Sequence, residues 1–376
     1  MAVPAQWREW NKVQGKLSWE LREERPRSDL EERAVGCMLG VMIGDILGTP
    51  FEGYQRQNIL KILQELDNGI HAGCFVPGSH MGLYHLPPRY GMYTDDTNST
   101  LALADSLVAC SGLRPHHVAR NYGLFWRSKP QRGYPRTAEM VMKAVLEGRD
   151  PLQTGAMCFS EGSFANGGMM RISPVGLAFR NATPDELYEA VRMAIVSSHI
   201  HPEAIDAAFL QAYGVSFLLT QSPDSLSPSQ YLARISALSR HPANQSKIAM
   251  VSQFFSSKSS NTLELSEEEV LDKLGSDFQI RSSEALACAL WSFVTHWDDP
   301  EGCLIHAAES GGDTDTVCSI AAALCGALHG TSWIPLRWFN NCENGEKGRD
   351  YAIKIALQLV KLDLHKVDNE SSITST

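Results

Sequence analysis

Long apolar segments with helical spacing restrict what this chain can fold into. In residues 31–48 the apolar side chains recur every three or four positions, and residues 315–329 are rich in alanine and leucine. Both segments are too long for ordinary strands, and the polar-apolar alternation typical of strands is scarce in the chain. We therefore predict an all-α architecture.

Similar helical patterns cover most of the remaining sequence. They begin after Asp96 and return at 116–128, 137–147, 185–198, 202–219, 230–239, 245–256, 266–274, 282–296, 300–309 and 350–362. Two segments lack the pattern: residues 66–92 indicate a long loop, and residues 366–376 indicate a polar, disordered tail. Because no sharp change in composition divides the chain, we predict one compact multi-helix domain over 31–365, preceded by an N-terminal extension at 1–30.

Four glycines recur at every fourth position of the first apolar segment, at Gly36, Gly40, Gly44 and Gly48. A stripe without side chains allows another helix to approach closely. A second interpretation is that the stripe lets the backbone approach a ligand near Asp45, but close packing explains most of the pattern.

Two acidic clusters more than two hundred residues apart each begin an apolar helix. They are Thr94-Asp95-Asp96-Thr97 and Gly311-Gly312-Asp313-Thr314-Asp315-Thr316. One Asp or Thr is enough to cap a helix, so two carboxylates at each start favour a further role. If the clusters meet, their carboxylates need protons or cations, and hard oxygen ligands favour magnesium, calcium or manganese over zinc. We therefore predict a metal site.

The overall composition excludes several classes of protein. A formal net charge of -10 argues against a broad basic surface for nucleic acid or anionic lipid. The N-terminus lacks the apolar core of a signal peptide, and no uncharged apolar stretch of about 18 residues indicates a membrane span. The nine cysteines show no metal-ligand spacing. We expect an intracellular, cytoplasmic protein, with the nucleus as the alternative, that binds neither nucleic acid nor membrane directly.

Two further segments carry candidate binding residues. The Gly-rich stretch 162–171 exposes backbone N–H groups that suit a phosphate or pyrophosphate, although Asn-Gly-Gly also forms ordinary turns. The segment Ser197-Ser198-His199-Ile200-His201-Pro202 lies between two helices. Its histidines are either ligands or, more commonly, neutral residues of a turn.

Together these motifs resemble the ADP-ribosylglycohydrolase family, which includes mammalian ADP-ribosylhydrolases and bacterial dinitrogenase-reductase-activating glycohydrolases. The matching segments are GVMIGDILGTPFEG (40–53), YTDDTNSTLALADSL (93–107), GSFANGGMMRISP (162–174), SSHIHPEA (197–204) and ESGGDTDTVCSIAAALCGALHG (309–330). The resemblance implies an all-α fold with a central cleft that holds two magnesium ions, with manganese as an alternative. The implied metal ligands are Thr94, Asp95, Asp96, Asp313, Asp315 and Thr316.

The resemblance also implies hydrolysis of the glycosidic bond at the distal ribose of ADP-ribose. Asp95 is the candidate for activating water, and Glu52 is either a second candidate or a gate over the cleft. The implied substrate-binding residues are Ser163, Phe164, Asn166, Gly167, Gly168 and His199, with a weaker match at Gly133 and Tyr134, whereas His201 is not expected to line the pocket.

The resemblance says more about the reaction than about the acceptor, the group from which ADP-ribose is removed. Glu52 and the 162–168 loop resemble enzymes that act on serine-linked ADP-ribose, poly(ADP-ribose) or O-acetyl-ADP-ribose, and an ADP-ribosylarginine hydrolase is the alternative. A catalytically silent ADP-ribose-binding or crystallin-like protein is an alternative of another class. A two-metal phosphatase would not explain both binding segments. The expected partners are ADP-ribose and ADP-ribosylated proteins or poly(ADP-ribose), and we expect a monomer.

Overall fold

The computed structural model describes residue 9 and residues 12–20, 23–66 and 90–368. In these ranges the chain forms helices joined by loops and short 3-10 turns, with only isolated β-bridges, which confirms the all-α prediction. The helices are α1 (Asp29–Gly48), α2 (Arg56–Leu66), α3 (Asp95–Cys110), α4 (Pro115–Ser128), α5 (Arg136–Leu146), α6 (Pro151–Thr154), α7 (Ser173–Ala178), α8 (Pro184–Ile195), α9 (Pro202–Leu218), α10 (Pro228–Leu238), α11 (Pro242–Ser259), α12 (Glu267–Leu274), α13 (Ser282–Thr295), α14 (Pro300–Glu309), α15 (Thr314–His329), α16 (Leu336–Phe339) and α17 (Arg349–Leu359).

The helical patterns in the sequence correspond to observed helices, with ends that differ by a few residues. The structure adds α2, α6, α7 and α16, which those patterns did not predict. Three of these four helices are only four to six residues long, too short for an apolar period to develop. Most of the long loop predicted at 66–92 lies outside the described residues.

Helix α1 and the 3-10 turn that follows it lie in the core. The segment Asp29–Phe51 has a mean hydropathy of 1.6 over its most apolar window, enough by length and composition to cross a membrane, but 94% of that window is buried inside the protein. The apolar character of α1 is thus accounted for by packing against other helices.

The glycine stripe of α1 packs directly on α15. A Cβ atom added at Gly40 would lie 2.3 Å from the carbonyl oxygen of Ala322, and one added at Gly44 would lie 2.5 Å from that of Cys318. The contact moves four residues forward on α1 for every four residues back on α15, so the two helices are antiparallel. The prediction of close helix packing is confirmed, and the end of α1 lies beside the start of α15.

Both ends of the described chain pack on the helical body. In the segment predicted as an N-terminal extension, Leu17 is buried, and its N–H donates a 2.9 Å hydrogen bond to Ile334. At the other end, the N–H of Asp368 donates to Leu113 at 3.0 Å. Residues 369–376 of the predicted tail lie outside the described residues.

Candidate active site

Three carboxylates converge where α1 ends and α15 begins. A pair of backbone hydrogen bonds joins the two segments, from Gly53 N to Gly312 O and from Gly312 N to Tyr54 O, both 2.8 Å long. Oxygen atoms of Glu52, Asp313 and Asp315 lie within 4.8 Å of one another and form a group that could hold a metal ion.

The first acidic cluster is fixed beside the second by a buried carboxylate, that of Asp45. Its oxygens accept hydrogen bonds from the N–H groups of Thr94 and Thr97, each at 3.0 Å, and from Thr97 Oγ1 at 2.5 Å. The sequence assigned no site role to Asp45 itself. The Gly-Asp pair at the end of the glycine stripe was the available signal, because a carboxylate deep in an apolar helix needs buried donors.

Hydrogen bonds between α3 and α15 show that the two acidic clusters meet, as the metal prediction requires. Asp96 Oδ2 accepts a 2.9 Å hydrogen bond from Ser319 Oγ, and Asp96 Oδ1 lies 3.4 Å from Thr316 Oγ1. Asp95, Asp96, Asp315 and Thr316 all line one cleft, whereas Thr94 does not. The Thr94 side chain instead caps α3 by accepting from Asp96 N, so its role as a metal ligand stays a prediction.

Burial and mutual repulsion hold protons on these carboxyls when no cation is present. The pKa of Glu52 is raised to about 8, first by burial and then by Asp313, and burial together with Asp45 raises the pKa of Asp95 to about 8. Burial is also the main cause that raises the pKa values of Asp96 and Asp315 well above their usual range.

The acidic residues of the cleft take part in none of the ion pairs formed among the described residues. Arg171 also lines the cleft but forms no ion pair with these acids, and oxygen donors gathered without a paired cation fit a hard divalent cation such as magnesium or manganese. The residues present therefore suit the metal centre that the motifs predicted.

The glycine-rich loop is joined to the second acidic cluster through Asn166 and Gln279. Asn166 Nδ2 donates to Asp313 Oδ2 at 2.5 Å and to Gln279 O at 2.9 Å. The side-chain oxygen of Gln279 accepts from Asp313 N at 2.8 Å. Gln279 is fully buried with a φ of 47°, and sequence reasoning missed it because nothing local marks a residue that acts on two distant motifs.

Phe164 lies at the mouth of the cleft with 48% of its surface exposed. The guanidinium of Arg281 lies 5.5 Å from the centre of its ring, and Glu203 holds Arg281 through two hydrogen bonds of 2.7 Å. Ser163 also lines the cleft. The predicted aromatic surface is therefore accessible and supported from behind.

His199 lines the cleft, and His201 does not. His201 instead caps α9, where its Nδ1 accepts from Glu203 N at 3.2 Å. The loop glycines pack against His199: a Cβ at Gly167 would lie 3.3 Å from Nε2, and one at Gly168 would lie 3.4 Å from Cγ. Gly167 lines the cleft, but Gly168 lies behind it.

Gly133 and Tyr134 also line the cleft. The preceding carbonyl of Arg132 accepts a 2.8 Å hydrogen bond from Asp95 N, which holds this loop against the first acidic cluster. The Tyr134 hydroxyl accepts from Asn98 Nδ2 at 2.7 Å, while Gly133 adopts a φ of 90° that favours glycine.

These groups surround one cleft with a cavity volume of about 390 Å³. Its floor is acidic, one side is the 162–168 loop, and the other side is an apolar wall from α4 and α5. The structure thus brings together the predicted site residues except Thr94 and Gly168, which lie just behind the lining. Such a cavity combines an apolar wall, a few polar groups and strongly shifted carboxyls, as binding and catalytic sites commonly do.

The helical fold and this acidic cleft define a family of glycohydrolases. The model of the ADP-ribosylglycohydrolase family matches residues 26–368, and the chain belongs to this family. It is 27% identical over 360 residues to ADP-ribosylhydrolase ARH3 of Mus musculus, with 90% of this chain and 92% of that protein covered.

Other relatives extend the similarity. The uncharacterized protein YegU of Escherichia coli is 25% identical, with 81% of this chain and 89% of that protein covered. A solved structure described as an ADP-ribosylglycohydrolase-related protein complex aligns with a TM-score of 0.66 at 24% identity, covering 89% of this chain and 99% of that chain, and so shows the same fold.

Proposed function

We propose that this protein is a divalent-metal-dependent hydrolase that cleaves the glycosidic bond between the distal ribose of ADP-ribose and its acceptor. The observation that carries this proposal is the convergence of the Glu52, Asp313 and Asp315 carboxylates within 4.8 Å at the floor of the cleft. The first acidic cluster, Thr94–Thr97, lies beside them and adds enough oxygen donors for two ions, for which magnesium is our first choice and manganese our second.

Bound divalent ions would neutralise the carboxylates and polarise the sugar hydroxyls. The residues of the protein would then bind the nucleotide and accept the proton of the attacking water. The 162–168 loop and His199 bind the diphosphate and the nucleotide, and Phe164 covers the base. Asp95 at the floor is our candidate for accepting the proton of the attacking water.

Glu52 has two candidate roles, a proton acceptor and a gate beside the acidic floor. Glu52 also belongs to the carboxylate group that could hold an ion, so the two roles are separated in two variants assayed at a magnesium concentration that saturates each of them. If Glu52 transfers protons, Glu52→Gln should lose as much activity as Glu52→Ala. If Glu52 only closes the cleft, Glu52→Gln should keep most of the activity because glutamine has nearly the same shape.

For the acceptor we propose serine-linked ADP-ribose, poly(ADP-ribose) or O-acetyl-ADP-ribose. The Glu52 and GSFANGG motifs support this choice, and the similarity to ADP-ribosylhydrolase ARH3 supports the hydrolysis of ADP-ribose from an acceptor. Arginine-linked ADP-ribose is the alternative acceptor. A silent ADP-ribose-binding protein is disfavoured because every expected ligand position carries an oxygen donor.

The test is ADP-ribose release from matched peptides modified on serine or arginine, from poly(ADP-ribose) and from O-acetyl-ADP-ribose, each with magnesium and with chelator. Magnesium-dependent release from serine, the polymer or the acetyl ester supports the proposal. Release from arginine alone moves the protein to the alternative acceptor. ADP-ribose binding without any release would establish the silent class.

We also propose that the protein acts inside the cell, in the cytoplasm or nucleus, as a monomer. ADP-ribosylated intracellular proteins would then be its macromolecular partners. Fractionation of cells that express the tagged protein and light scattering of the purified protein test these two points.

A further inference from the structure

A series of hydrogen bonds in the wall of the cleft links Arg171, Ser198 and His199, all three of which line the cavity. Arg171 Nη2 lies 2.6 Å from Ser198 Oγ, and Ser198 Oγ lies 2.8 Å from His199 Nδ1. Arg171 is only 7% exposed and stacks over the ring of Tyr122 at 4.4 Å. The proposed function assigns a ligand contact to His199 and no role to Arg171 or Ser198.

The donors and acceptors in this series of hydrogen bonds follow from the types of group and from the contact distances. A guanidinium only donates, so Ser198 Oγ must be the acceptor from Arg171. The single Ser198 proton then has two acceptors within reach, His199 Nδ1 at 2.8 Å and Ile195 O at 3.4 Å. In the alternative arrangement Nδ1–H would donate to Oγ and the hydroxyl proton would have only the 3.4 Å contact with Ile195 O. The geometry therefore favours the hydroxyl as the donor to Nδ1.

The state of the imidazole follows from that direction. Burial, aided by the positive charge of Arg171, lowers the pKa of His199 to about 3, so the ring is neutral near pH 7. A neutral ring that accepts at Nδ1 carries its proton on Nε2. No described group hydrogen-bonds Nε2, which lies beside Gly167, a residue that lines the cleft.

We propose that Arg171 and Ser198 are positioning residues that hold His199 as an Nε2–H donor facing the cleft, where it binds an anionic oxygen of the ligand. The inference rests on the proposed function for the identity of that ligand, the diphosphate of ADP-ribose. Arg171 orients Ser198, Ser198 orients the imidazole, and the imidazole is a neutral donor to the ligand. The opposite tautomer would present a lone pair to the phosphate and repel it.

The tautomer can be read without any ligand or turnover. In full-length protein labelled with ¹⁵N-histidine, long-range ¹H–¹⁵N spectra distinguish the two neutral forms, and His199→Gln assigns the signal. We expect the Nε2–H form between about pH 5 and 8, since these values lie above the lowered pKa. A ring protonated on Nδ1, or a cationic ring in this range, would overturn the proposal.

We call the hydrogen-bonded series Arg171–Ser198–His199 the relay. The variant that tests it is Ser198→Ala, with Ser198→Thr as the conservative variant that keeps the hydroxyl. Ser198→Ala should mix the tautomers and weaken ADP-ribose binding about tenfold, which is the loss expected for one hydrogen bond to a charged group. In turnover the loss should lie mainly in KM, and Ser198→Thr should restore most of it. Unchanged tautomer and affinity in Ser198→Ala would refute the relay.

A matched control is Ser216→Ala on α9, where the hydroxyl donates to Tyr213 O away from the cleft. It should leave the tautomer and ADP-ribose affinity unchanged. The two proposals fail separately: absence of turnover in the wild-type protein counts against the proposed function, whereas the wrong His199 tautomer counts against the relay alone.

Discussion

The side-chain oxygen of Gln279 accepts a 2.8 Å hydrogen bond from the backbone N–H of Asp313, at the point where α15 begins. The backbone oxygen of the same glutamine accepts from Asn166. One buried residue therefore orients Asp313 and the glycine-rich loop together. Movement of Gln279 would displace both sides of the cleft at once.

We expect Gln279→Ala to leave Asp313 N without a partner, which costs about 1–3 kcal/mol of folding stability. Without this hydrogen bond Asp313 is no longer held in place, so the protein should also bind magnesium at least tenfold more weakly. Calorimetric titration with magnesium and chemical unfolding measure the two effects. Exposed Gln153→Ala is the control, and an unchanged magnesium affinity in Gln279→Ala would contradict the assignment.

Asp315→Asn should abolish turnover but leave the metal-free protein as stable as the wild type, or more so. Burial and the charges of Glu52 and Asp313 raise the Asp315 pKa far above its usual range, so its side chain holds a proton when no cation is bound. A neutral asparagine then replaces a neutral acid. Thermal unfolding with chelator and ADP-ribose release with magnesium check both parts, with exposed Asp224→Asn as control. Full activity in Asp315→Asn would contradict the metal assignment.

The metal-free protein should lose stability as the pH rises from about 4 to about 8. Glu52 and Asp95 have pKa values of about 8 in the folded protein, whereas in the unfolded chain they ionise near pH 4. The folded state therefore binds more protons in this range, and the free energy of unfolding falls with increasing pH. Magnesium should restore more stability at pH 8 than at pH 5. Thermal unfolding in chelator and in magnesium across this range tests the sign, and a metal-free protein that gains stability would contradict it.

Gly40→Ala should destabilise the fold by about 3 kcal/mol or more, because the new Cβ would lie 2.3 Å from the carbonyl oxygen of Ala322 and both groups belong to packed helices. The control is Gly345→Ala, since a Cβ there meets nothing within 4 Å. Chemical unfolding compares the two. Equal stability of both variants would show that α1 can move away from α15.

The sequence predicted the parts of the fold that local patterns encode. Helices α1 and α15 were evident because each is long and apolar throughout, and the acidic clusters were evident because two carboxylates exceed what a helix cap needs. The short helices α6 and α16 have too few residues to show a period. Gln279 was not predictable, since its partner Asn166 is 113 residues away and the pairing exists only in the folded chain.

Thr94 shows a different limit. The resemblance marks it as a metal ligand, and its neighbours Asp95 and Asp96 line the cleft. Its side chain also caps α3, and its role as a ligand stays a prediction. Pattern matching names the residue types that a motif contains. It does not say which of them are already engaged in holding the motif's own backbone.

The backbone contact between α1 and α15 also fixes how far Glu52 lies from Asp313 and Asp315 in the proposed metal centre. A change of register by one residue between the two helices corresponds to a shift of about 1.5 Å and a turn of about 100°. This is enough to take the Glu52 carboxylate away from Asp315. Gly36, about 18 Å from Gly48 along the axis, touches Gly326 and Gly330 in the same series of contacts. The affinity for a divalent ion should therefore respond to substitutions near Gly36, at the far end of the helix pair, although none of the proposed metal-binding residues lies near Gly36.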